Sequence, residues 1–299
     1  MQGEKDYQLI AMDMDGTLLN SRKQVSPETL REIREAVSRG KIVVYATGRA
    51  VCEMEEYFEQ LPEIRYAVFA SGAGLYDVQE RRAFGLQTIP AELAMQVMEA
   101  VKDRDIMPQI VLADCVAVQR DQMDRLEDYQ MKPYRPMYER AMTRVEDIRA
   151  FAVEHQGEIL KMNVYHTNPE DRLRTKERLA DLQLEKVFSE VTSLECSAKG
   201  VDKGTGLAAL CRYLGLEPGR SIAVGDAPND LPMIRTAGLG VAMGNSKPEV
   251  LEAADVVVSD NDHDGCAEAI RLMYKSKFDK SRFDKFRFER YTEDRRRGW

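Results

Sequence analysis

Short aliphatic and β-branched runs, each followed by a longer stretch with helical periodicity, recur at both ends of this chain and constrain its architecture more than any other feature. The first run, Tyr7 to Met12, leads into a glycine-containing turn. Ser26 as N-cap, Pro27 in the first helical position, and Leu30, Ile33 and Val37 on one face then predict a helix that stops at Gly40. A second strand is expected over Lys41 to Ala46, a helix after Thr47-Gly48-Arg49 as far as Gln60, and a third strand over Tyr66 to Ala70. The rhythm returns late: a helix over Lys203 to Leu214, strands over Ser221 to Val224, Leu239 to Met243 and Asp255 to Val258, and a last helix over Asp264 to Tyr274. Strand, helix and strand in this order predict a parallel sheet covered by helices on both faces.

Between the two series the texture changes. Helical patterns near Pro90 to Lys102, Val145 to Glu154 and Pro169 to Leu182 alternate with strand-like runs at Gln109 to Val118, Ile159 to Tyr165 and Val187 to Thr192. The fold class expected is therefore α/β, a Rossmann-like parallel-sheet core interrupted by an inserted α+β domain. The core takes residues 1–83 and 193–274, the insertion 84–192, and a basic tail 275–299.

Composition narrows the function. With 299 residues, 43% hydrophobic and 31% charged, the chain has material for two globular domains and is no fibrous or disordered sequence. The net charge of −8, with basic residues interleaved with aromatic ones only from Lys275 onward, leaves no basic body for nucleic acid. Its apolar runs are too short for a membrane span, and the opening MQGEKDYQ lacks a signal peptide's apolar core, so a cytoplasmic protein is expected. Five scattered cysteines without a CxxC pair suit reduced thiols. Only three histidines, His155, His166 and His263, leave little for zinc chemistry, so any metal should be held by oxygen.

Ligands of open parallel sheets bind beyond the carboxyl ends of the strands, which puts weight on four segments. They are Asp13-Met14-Asp15-Gly16-Thr17, Thr47-Gly48-Arg49, Gly200-Val201-Asp202-Lys203-Gly204, and Gly225-Asp226-Ala227-Pro228-Asn229-Asp230. Carboxylates from Asp13, Asp15, Asp226 and Asp230 converging on one crevice need a compensating cation. Mg²⁺ fits, because it takes one or two carboxylates together with a substrate phosphate. The Thr47 hydroxyl, N–H groups at the helix start and the Lys203 ammonium are matching anion donors. Each residue also has a plainer reading: a turn-capping aspartate for Asp13 or Asp15, a solvated first-turn lysine for Lys203, a surface arginine for Arg49.

DMDGTLL, ATGR, GVDKG and GDAPND, in that order, resemble the four motifs of the haloacid dehalogenase-like (HAD) phosphatases. An insertion between the second and third motifs resembles the Cof-type branch with its large α/β cap, and VAMGNSKPEVLEAADVVVSDNDHDG resembles that branch's terminal segment. The resemblance implies a Mg²⁺-dependent phosphatase of small phosphorylated metabolites working through an aspartyl-phosphate. Asp13 is then nucleophile and metal ligand, Asp15 the general acid and base with a metal-binding carbonyl, and Asp226 the remaining protein ligand. Met14, Thr47, Gly48, Lys203 and Asn229 hold the phosphate, while Arg49 reaches substrate and Asp230 braces Asp226 or Lys203. A phosphomutase or phosphotransferase would share the intermediate, and a sensor of a phosphorylated ligand would share the crevice without the chemistry. Homo-oligomerisation is left open by the sequence.

Overall fold

A computed structural model describes residues 6–102, 105–189 and 191–274. The expected basic tail, 275–299, lies outside the described residues. The chain separates into two compact units.

Of the described residues, one unit comprises 6–46, 63–65 and 207–274. Its sheet runs in the order Val256–Val257, Leu239–Ala242, Ser221–Gly225, Leu9–Met12, Ile42–Ala46, all parallel. Leu9–Met12 is entirely buried, as a strand covered on both faces must be. Pairing puts Met12 beside Val224 on one side and Tyr45 on the other. Chain connections leave Leu9–Met12 in opposite directions, so the topological switch point lies at its carboxyl end, where a doubly wound sheet opens a crevice. Helix Pro27–Ser38 starts as the sequence predicts, with the Ser26 side chain accepting from Thr29 N and Pro27 leading. Its last residue is Ser38, its C-cap Arg39, and the chain then turns at Gly40, whose φ of 74° only glycine takes easily.

The other unit comprises Thr47–Pro62 and Tyr66–Gly206. It holds a meander of Tyr66–Phe69, Gly74–Asp77 and Arg82–Phe84. Its larger sheet runs Leu184–Phe188, Ser193–Ala198, Lys161–His166, Ile106–Val111, Val116–Gln119, Thr143–Val145, antiparallel except for the last pair. Alternation gives this sheet two unlike faces. Ile110, Ala117, Met162, Val164, Leu194 and Cys196 make the apolar core with residues of the helices Ala91–Ala100 and Ile148–Glu154. The intervening residues, Gln109, Lys161, Asn163 and Glu195, are polar and yet buried.

Several elements differ from the sequence reading. The run Gln109 to Val118 is two strands of a hairpin closed by Leu112 N donating to the Cys115 carbonyl. Ser193–Ala198, which falls in the expected core range 193–274, is a strand of the larger antiparallel sheet, paired with Leu184–Phe188 and Lys161–His166. The single helix expected after Arg49 is a short 3₁₀ turn, Val51–Glu53, followed by helix Glu55–Gln60. The strands Gly74–Asp77 and Arg82–Phe84, too short to stand out in the sequence, were not expected.

Candidate active site

Asp13 and Asp226 follow the two strands that flank the switch point, where Asp13 N donates to the Val224 carbonyl at 3.0 Å. One carboxylate oxygen each from Asp13, Asp226 and Asp230 lie within 4.8 Å of one another. Asp13 and Asp230 are buried and Asp226 is half-buried. Three carboxylates this close in a low-dielectric crevice repel strongly unless a cation or protons join them. Oxygens about 2.1 Å from one ion stand at most about 4.2 Å apart. Small side-chain rotations therefore suffice for this group to hold a hard divalent cation, and an all-oxygen donor set suits Mg²⁺.

The loops around the carboxylates are tightly specified. Gly16 turns the chain at φ 83°, and a Cβ there would stand 2.5 Å from Asp226 Oδ2. Thr17, buried, donates its hydroxyl to Asp226 Oδ1 at 2.7 Å. Asp230 Oδ2 accepts from Asp226 N at 2.9 Å and Ala227 N at 3.0 Å, bracing the loop that carries Asp226. Asp15 is not one of the three clustered carboxylates and pairs with Lys23 at 2.7 Å, both partly exposed. Met14, in the turn between Asp13 and Asp15, is fully buried. Burial, and then the negative charge of Asp13 and Asp226, pushes the Cys266 thiol far up and leaves it unreactive.

The second and third sequence motifs lie in the other unit. Thr47 is buried and its hydroxyl oxygen accepts from Arg49 N at 3.1 Å, leaving the hydroxyl hydrogen to donate. Arg49 donates to the Glu53 carbonyl at 3.2 Å and stacks over Tyr57 at 5.3 Å. The Glu53 carboxylate returns to Ala50 N at 2.6 Å, closing the turn. Lys203 is buried at the first position of helix Lys203–Tyr213, whose start is capped by Asp202 through Thr205 N at 2.7 Å.

Sequence reasoning missed the group that holds Gly48. Lys161 Nζ donates to the Gly48 carbonyl at 2.7 Å and to Ser71 Oγ at 3.3 Å, and pairs with Glu195 at 3.2 Å. Ser71 donates to Glu195 at 2.7 Å and its N–H bonds the Thr47 carbonyl at 3.0 Å. Ala70 and Ser71 hold φ of 49° and 57°, strained for residues with a Cβ and fixed by these bonds. Burial works to raise the Glu195 carboxyl, but the Lys161 ammonium and hydroxyl hydrogen bonds outweigh it and hold the carboxyl below its ordinary value. The only sequence signal for this pair was a lysine and a glutamate at inward positions of strands, which local pattern does not distinguish from surface charges.

The pattern describing haloacid dehalogenase-like hydrolases matches residues 10–270, spanning both units. The chain belongs to that family. HAD-like relatives include a 5-amino-6-(5-phospho-D-ribitylamino)uracil phosphatase of Bacillus subtilis, 30% identical over 89% of this chain and 95% of that protein. An HMP-PP phosphatase of Serratia proteamaculans is 30% identical over 82% of this chain and 86% of its own. Among solved structures, a HAD-like hydrolase of B. subtilis matches with a TM-score of 0.79 at 27% identity, over 88% of this chain and 99% of that one. This HAD-like chain is a phosphoric monoester hydrolase, with the α/β core and inserted α+β cap expected from its sequence. No described helix is long and apolar enough to cross a membrane.

Proposed function

We propose that this enzyme is a Mg²⁺-dependent phosphatase of small phosphorylated metabolites, working through an aspartyl-phosphate on Asp13. The observation that carries the reading is the convergence of Asp13, Asp226 and Asp230 oxygens at the switch point of the sheet. Mg²⁺, held by Asp13, Asp226 and the Asp15 carbonyl, would neutralise the carboxylates and the incoming phosphate.

The Asp13 carboxylate attacks phosphorus in line, and the ester oxygen leaves with a proton from the Asp15 carboxyl. Water then attacks the same phosphorus, gives its proton to Asp15 and releases inorganic phosphate with Asp13 restored. Thr47 through its hydroxyl, Gly48 and Met14 through backbone N–H, and the Lys203 ammonium grip the transferring group. Asn229, on the loop that carries Asp226, would donate its side-chain amide N–H to the phosphate. The substrate class follows the relatives, which are phosphatases of 5-amino-6-(5-phospho-D-ribitylamino)uracil and of HMP-PP.

The test is release of inorganic phosphate from an aryl phosphate. Wild-type protein with Mg²⁺ should turn over, and excess chelator should stop it. Asp13→Asn should lose about a thousandfold or more in kcat with its melting temperature preserved. Turnover by that variant at about a tenth of wild type or more would remove the covalent route. Phosphate delivered to an added sugar, with none appearing free, would make the enzyme a phosphotransferase.

A further inference from the structure

The turn after strand Leu239–Ala242 touches both carboxylate loops, although it belongs to none of the four motifs. Met243 N donates to the Gly225 carbonyl at 3.1 Å, Ser246 Oγ to the same carbonyl at 3.2 Å, and Lys247 N to the Asp226 carbonyl at 2.9 Å. Between those bonds, Asn245 Nδ2 reaches the opposite way and donates to the Gly16 carbonyl at 2.8 Å. Asn245 is itself fixed: its Oδ1 accepts from Asn261 N at 3.1 Å, and Asn261 Nδ2 donates to the Leu19 carbonyl at 2.9 Å. Residues 16 and 19 of the first loop are thus tied to residues 225 and 226 of the last through one five-residue turn.

Those ties bear on the gap the cation must fill. Gly16 is the residue whose Cβ would strike Asp226, and Thr17 bonds that carboxylate directly. Any slack at the Gly16 carbonyl is therefore transmitted to the separation of the Asp13 and Asp226 oxygens. Repulsion among three carboxylates pushes the loops apart whenever the ion leaves, and donors from a third segment add to the Thr17 hydroxyl bond that resists it. We infer that Asn245, backed by Asn261, is a positioning residue that holds the Asp13 and Asp226 loops at cation-binding distance. The inference rests on the reading of those aspartates as metal ligands. A bond made outside the ligand set but fixing its geometry is typically worth about 10–100-fold in metal affinity.

The experiment titrates Mg²⁺ into the full chain without substrate, by calorimetry and by the Mg²⁺-induced rise in melting temperature. Asn245→Ala should weaken Mg²⁺ about 10–100-fold. Asn245→Asp, which cannot donate to the Gly16 carbonyl, should do at least as badly, and Asn261→Ala should show a smaller loss. Hydrogen exchange should quicken at Thr17 and Leu18 in the Ala variants. Should Asn245→Ala fold poorly, Asn261→Ala decides by itself: a Mg²⁺ affinity within about twofold of wild type overturns the inference. An Asn245→Ala protein that is less stable but binds Mg²⁺ as wild type does so too, since a merely structural residue would behave that way. Asp226→Asn separates the two levels. If that variant also binds Mg²⁺ normally, the ligand reading fails and the inference with it. If Asp226→Asn loses Mg²⁺ while the asparagine variants keep it, only the inference is overturned.

Discussion

Replacing Lys161 by methionine keeps the length of the side chain and removes one charge from a pair that is almost wholly buried, Lys161 1% and Glu195 10% exposed. At their 3.2 Å separation the Coulomb attraction is about 5 kcal/mol for an effective dielectric near 20. The variant also leaves Glu195 charged and without its cation in the interior, and breaking a buried pair from one side costs about 3–5 kcal/mol. At about 2–4 °C per kcal/mol, thermal unfolding followed by circular dichroism at pH 7.5 should shift down by roughly 10 °C. The second substitution checks the cause: Lys161→Met with Glu195→Gln removes the stranded charge and should recover more than half of the loss.

The pH dependence has a definite sign. In the wild type Glu195 titrates below its unfolded value, so its contribution is present above about pH 4.5 and is lost as pH falls through the folded value. In Lys161→Met the isolated carboxyl titrates above that value, so protonation relieves the penalty as pH falls. The gap between wild type and variant should therefore narrow on going from pH 7.5 to pH 5. A shift under about 2 °C at pH 7.5, or a double variant as unstable as the single one, would refute the assignment of this pair as a structural lock on Gly48.

Gly16→Ala places a methyl against the Asp226 carboxylate in a backbone conformation that costs a side chain about 1–2 kcal/mol. Mg²⁺ affinity measured by calorimetry should fall by about tenfold or more, and an unchanged affinity would deny the crowding at residue 226. Thr17→Val deprives Asp226 Oδ1 of its hydroxyl donor and should raise the Mg²⁺ concentration needed for half-maximal turnover, while Thr17→Ser restores it. Valine and serine variants that behave alike would contradict this. Asp230→Ala leaves two N–H groups at 226 and 227 without their acceptor and should lower stability by about 1–3 kcal/mol in urea unfolding. A loss of less than half a kcal/mol or so would mean the loop is braced elsewhere.

Much of the core was legible because its determinants are local. A strand buried on both faces reads as an unbroken aliphatic run, as in Leu9–Met12 and Ile42–Ala46, and residues just beyond such runs are where a parallel sheet binds ligands. Ser26 and Pro27 announce a helix start by chemistry confined to four residues. The insertion was harder to read. Its hairpin at 112–115 turns within two residues, Ala113 and Asp114, so a lone aspartate is the one break in an otherwise apolar stretch. Ser193–Ala198 alternates polar and apolar as a strand should, but which sheet it joins is decided by pairing with Lys161–His166, some 30 residues upstream. Lys161, Asn245 and Asn261 act on backbone carbonyls, at Gly48, Gly16 and Leu19, and a carbonyl leaves no mark in a sequence.

The position of Leu9–Met12 between Ile42–Ala46 and Ser221–Gly225 carries a consequence for biosynthesis. Its first neighbour leaves the ribosome promptly, whereas the second follows about 175 residues later, a wait on the order of 10–35 s at ordinary translation rates. Throughout that interval a fully apolar strand keeps one edge bare, the kind of surface that chaperones cover and stray chains seize. A nascent polypeptide that already carries three of its four signature segments still lacks Asp226 and Asp230, and the carboxylate cluster is complete only when about three-quarters of the chain has been made.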